Sequence, residues 1–152
     1  MQSQLYSIHT WNEHKGPVNF DQKFTSQEEL IELFSSIDWS LGTVYSYPNY
    51  PFDPPTHELF IFDLKRGKSL KFSTIICNDW DYEFYIHFGS YQKEGEEFIG
   101  IVETLETTYE REDVMIQYIK NFCSGDYSTV LQAREESGVY HTAESTFKIP
   151  SL

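Results

Sequence analysis

Five histidines (His9, His14, His57, His87 and His141) and two cysteines (Cys77 and Cys123) are the side chains here best suited to hold a metal or act as nucleophiles. Their spacing does not gather them. There is no HxH, HxxxH or HExxH, no CxxC, and no cysteine beside a histidine. Zinc sites draw on convergent imidazole and thiolate ligands that usually show as close pairs. His57 and Glu58 sit next to one another beside a strand, where successive side chains point to opposite faces. Each histidine therefore reads as a surface or loop residue, and no metal, no cofactor and no catalytic set is expected. GxSxG, Walker and GxGxxG patterns are absent as well.

Carboxylates are the stronger signal. Between Asn78 and Asp113 lie eleven of them, offset only by Lys93 and Arg111, which leaves this segment at −9 within a chain of net charge −13. Asn78-Asp79-Trp80-Asp81 has two acids at alternate positions, but a calcium loop would continue to a glycine and a distant bidentate glutamate. Here an aromatic strand follows, so a hairpin turn is expected. Acidic groups lie near Trp80, Tyr82, Tyr85, Tyr91 and Tyr109. Such a field repels nucleic acid and anionic membranes, and it accelerates encounter with a basic protein that exposed rings can then anchor. The contact surface expected from this pattern comprises Asp79, Trp80, Asp81, Tyr82, Glu83, Tyr85, Glu94, Glu96 and Glu97. Lys65, Arg66, Lys68 and Lys71 cluster at one turn, where a solvated loop is the simpler account than nucleic-acid contact.

The scaffold has to fit a chain of 152 residues, which is one domain, 1–152, at 39% hydrophobic and 17% aromatic content. That apolar supply argues for a folded chain despite its acidity. No basic-then-apolar leader and no apolar run of about 20 residues is visible, so a cytoplasmic protein with reduced thiols is expected.

Alternation over residues 5–11 predicts an opening strand, ended by Gly16-Pro17, with a short extended piece from Val18 to Phe24. Ser26 with Glu29 forms a capping box before Leu30, Ile31, Phe34 and Ile37, the apolar face of a first helix. Val44–Tyr47 suggests a short strand, and the proline-rich 48–55 a surface loop. Strands are then expected at Glu58–Leu64, Ser69–Cys77, Tyr82–Phe88 (Phe84, Ile86 and Phe88 inward) and Phe98–Leu105. A second helix follows over Arg111–Phe122, with Val114, Met115, Tyr118, Ile119 and Phe122 on its stripe. Thr129–Arg134 is a short helix or strand, and Ser145–Leu152 is loosely attached. The order predicts an α+β fold: an antiparallel meander with two main helices packed on one face.

With Thr25-Ser26-Gln27-Glu28-Glu29-Leu30 opening a helix before a meander, this acidic and aromatic-rich chain resembles the immunity proteins of bacterial polymorphic and contact-dependent toxin systems. The resemblance is one of general organisation over about the first two-thirds of the chain. It implies a small cytoplasmic, non-enzymatic inhibitor that binds a cognate basic toxin domain, often a nuclease. Two alternatives stand beside it. One is a hydrolase with paired carboxylates in an aromatic cleft. The other is a self-associating adaptor that uses the doubly apolar strand Glu58–Leu64 as an edge or interface strand.

Overall fold

A computed structural model of the chain describes residues 5–13, 16–40, 56–76, 82–94, 97–109, 112–137 and 140–148. Among these, seven strands form one antiparallel sheet in the order β2-β1-β3-β4-β5-β6-β7. They are β1 (Leu5–Glu13), β2 (Gly16–Thr25), β3 (Thr56–Asp63), β4 (Lys68–Ile76), β5 (Tyr82–Glu94), β6 (Glu97–Tyr109) and β7 (Tyr140–Lys148). Three helices accompany them: α1 (Gln27–Ser36), α2 (Glu112–Ser124) and α3 (Ser128–Ser137). The α+β antiparallel expectation is met, with a third helix where Thr129–Arg134 was undecided. Val44–Tyr47, the proline-rich loop and the Asn78-Asp79 turn lie outside the described residues.

Alternation sorts the strand residues onto two faces. Leu59 and Ile61 of β3, Leu70 and Phe72 of β4, and Phe84, Ile86 and Phe88 of β5 point to the helix side. There they meet Leu30 and Phe34 of α1 and Met115, Tyr118, Ile119 and Phe122 of α2, all buried. The opposite face holds a smaller cluster. Tyr6 and Phe62 are buried among Ile8, Phe24, Phe60 and Leu64, and the Tyr6 hydroxyl donates to Gln22 Oε1 at 3.0 Å. With both faces covered, β3 is a near-continuous apolar run. It lies between β1 and β4, so it is an interior strand and the expectation of an edge strand is corrected.

Local signals fix the helices. Ser26 Oγ accepts from the Glu29 amide at 3.2 Å, the N-cap expected from sequence, and Glu29 returns the contact by accepting from the Ser26 hydroxyl at 3.1 Å. α2 ends where Gly125 takes φ of 82°. The Gly125 amide then bonds Phe122 O at 3.1 Å and the Asp126 amide bonds Asn121 O at 2.9 Å, the paired 5→2 and 6→1 closure of a Schellman motif.

The basic turn between β3 and β4 is tied to that helix end. Asp63, 1% exposed, accepts from the Lys65 and Arg66 amides at 3.1 Å each and from Arg66 Nη1 at 2.7 Å. The same Nη1 reaches Cys123 O at 3.4 Å, placing a cation at the negative end of α2. Lys68 Nζ donates to Ser90 Oγ at 2.8 Å. Lys71, on the other face, lies 3.4 Å from Glu58 and 4.9 Å from the Phe60 ring centre. These internal contacts account for three of the four clustered cations. Cys123 is a free thiol, and burial pushes its pKa up to about 11. No helix among the described residues is long and apolar enough to cross a membrane.

Candidate functional site

β1 pairs with β3, not only with its hairpin partner β2, and Trp11 stands opposite His57 in that register. His9, two residues earlier, shares their face. The result is a histidine pair that spacing could not reveal: His9 Nε2 and His57 Nδ1 are 2.9 Å apart, with ring centres 5.1 Å apart. Trp11 lies 4.5 Å from His57, and Trp39, beyond the end of α1, closes the inner side at 6.4 Å. Phe20, at an irregularity in the β1–β2 register, covers His9 at 5.3 Å while remaining 54% exposed. The expectation that both are isolated surface histidines is corrected.

Burial lowers the pKa of His9, with Asp21, its register partner, acting in the opposite sense. Burial and the neighbouring His9 push His57 down to about 4, against a weaker upward pull from Asp38. Both rings are therefore neutral at pH 7. Among the described residues, no third His, Cys, Asp or Glu joins it as a metal-ligating group.

The expected contact surface divides. Tyr82, Glu83 and Tyr85 open β5, whereas Glu94 closes it and pairs with Glu97 at the start of β6. Glu83 and Glu94 are eleven residues apart on one strand, roughly 35 Å at about 3.3 Å per residue. A standard interface patch of about 800 Å² per partner is roughly 28 Å wide. Neighbours in sequence are thus carried apart by a long strand, and the two ends of the expected surface stand further apart than a patch of that width. Asp79, Trp80, Asp81 and Glu96 lie outside the described residues.

Topology makes a different grouping. Phe84 pairs with Tyr109, so the start of β5 and the end of β6 lie together, and α2 begins at Glu112-Asp113 three residues on. The same end of the sheet carries the start of β3 and the last residues of β1, hence His57, Trp11 and His9. Glu83, Glu112 and Asp113 thus belong to the histidine end, while Glu94 and Glu97 belong to the opposite, hairpin end. From β2 to β6 is five strand spacings, about 24 Å, within the width of one interface patch. Protein-family models, curated proteins and solved structures give no match to this chain.

Proposed function

We propose that this chain is a non-enzymatic binding protein of the immunity type. It captures a basic protein, such as a nuclease toxin domain, in the cytoplasm and occludes it with the histidine end of the sheet. The observation that carries this reading is that acidic backbone positions and aromatic side chains lie at that same end of the sheet. Glu83, Glu112 and Asp113 stand on β5 and α2, and Trp11 and the exposed Phe20 on β1 and β2, three and four strand positions across the sheet from β5. Net charge of −13 supplies long-range attraction, and aromatic rings are the side chains that most often anchor protein interfaces once water is displaced.

Co-expression with a basic domain encoded beside its gene provides the test. The wild-type chain is expected to form a stable complex and to restore growth. The triple reversal Glu83→Lys, Glu112→Lys, Asp113→Lys is expected to lose both at equal soluble expression. Rescue that survives the triple reversal would remove the histidine end from the interface.

A further inference from the structure

We propose that the hydrogen-bonded pair His9–His57 is an acid-responsive switch at the docking end, taking up protons one ring after the other and so weakening the hold on a basic partner. The weakened hold rests on the binding reading above; the order of proton uptake does not. Its basis is the contact between the facing nitrogens, His9 Nε2 and His57 Nδ1, 2.9 Å apart on the adjacent strands β1 and β3. A neutral imidazole has one N–H and one bare nitrogen, so a single proton lies between the two rings and each fixes the tautomer of the other. With His9 as the donor, its outer Nδ1 is bare, and a proton added there leaves the contact intact and charge-assisted. A second proton has only His57 Nδ1 to bind, and that lone pair is the acceptor of the contact. Protonating it sets two N–H groups head to head on two cations, and the rings must part. The geometry admits one added proton and resists two.

The charges around the pair select His9 for the first proton. Burial lowers its pKa, but Asp21, opposite it on β2, pulls the other way. Lys23 of the same strand is held 3.5 Å from Asp21 and 4.0 Å from Glu29 of α1. Burial and then His9 push His57 down to about 4, and Asp38, beyond the end of α1, opposes them only weakly. Glu58 follows His57 on β3, so alternation turns it to the other face, where it meets Lys71 at 3.4 Å. Trp11, Trp39 and Phe20, all uncharged, line the pair on its remaining sides among the described residues. Both rings thus bind protons less readily than in the unfolded chain. The stability that the neutral pair contributes is complete above about pH 6.5 and is lost as pH falls below it. Each proton taken up also places positive charge beside Trp11 and Phe20, where it repels a basic surface.

Imidazole nitrogen NMR of the full chain from about pH 8 to 5, with the rings assigned by through-bond correlation to the backbone, tests the order of uptake. At neutral pH both rings should show one fixed tautomer with Nδ1 bare. His9 should titrate first, with a midpoint below about 6.5, and His57 should stay largely neutral to about pH 5. His9→Asn keeps an amide donor for His57 Nδ1 but cannot carry the charge, so the fraction of His57 protonated at about pH 5 should rise at least twofold. Between about pH 7.5 and 5, affinity for the basic domain should fall at least threefold more in wild type than in His9→Asn. Two rings titrating together near the ordinary value, an unmoved His57 in His9→Asn, or equal pH dependence of the two complexes would overturn the switch. A chain that binds no basic domain at either pH would sink the binding reading instead, and the wild-type NMR titration, which needs no partner and no variant, would still decide the pair.

Discussion

Replacing Asp63 by alanine is expected to loosen the β3–β4 turn from the C-terminal end of α2 and lower stability by about 2 kcal/mol or more. The carboxylate is almost fully buried and accepts from the amides of Lys65 and Arg66. Each such bond contributes about 1 kcal/mol net, and water can reach the exposed turn amides only in part. Loss of the Arg66 guanidinium contact adds to this in the same direction and frees the side chain that also touches Cys123 O. At about 2–4 °C per kcal/mol for a domain of this size, melting should fall by about 4–8 °C. Asp63→Asn separates the contributions, because its carbonyl oxygen still serves both amides while its NH2 faces Arg66. It should sit between alanine and wild type. Urea denaturation with an unchanged m-value is the assay. An alanine variant within 0.5 kcal/mol of wild type, or an asparagine variant less stable than alanine, would refute the account of this turn.

His87, 3.4 Å from Ser73 Oγ, is pushed down to about 3 by burial first and Lys71 second. Between about pH 6.5 and 3 the unfolded chain binds a proton there and the folded chain does not, so stability falls as pH falls through that window. The loss from this group is about 2 kcal/mol from pH 6.5 to 5. His87→Gln, compared with wild type by urea titration across these pH values, should show a correspondingly shallower decline. Gly125→Ala should cost about 1–2 kcal/mol, since φ of 82° disfavours a side chain and its Cβ would lie 2.7 Å from Arg66 Nε. Ser26→Ala removes the acceptor for the Glu29 amide and should cost about 1 kcal/mol, measurable by thermal melting.

Where a signal was local, sequence was enough. The Ser26–Glu29 cap, the Leu30, Phe34, Ile37 stripe and the Phe84, Ile86, Phe88 alternation all depend on neighbours within one element, and these apolar residues are buried as expected. The full length of β2 was hidden by Pro17 and polar alternation, and β7 by weak apolar content. Both are strands because a partner, β1 or β6, supplies the backbone bonds. The histidine pair was illegible for a stronger reason. β1 meets β3 across an intervening strand and helix, so His9 and His57 become neighbours only through a pairing that neither segment encodes alone. In the acidic stretch the relation is reversed, because a 13-residue strand turns closeness in sequence into distance in space.

Association kinetics with the captured basic partner, measured against salt for two charge-reversed variants, test the binding claim most directly. Reversal at the histidine end (Glu83→Lys, Glu112→Lys, Asp113→Lys) should slow association at least tenfold at low salt and flatten its dependence on ionic strength. Reversal at the hairpin end (Glu94→Lys, Glu97→Lys) should leave the rate within about twofold of wild type, because those positions are roughly 35 Å away. If the hairpin-end variant is the slow one, or if salt leaves the wild-type rate unchanged, the proposed docking end is wrong.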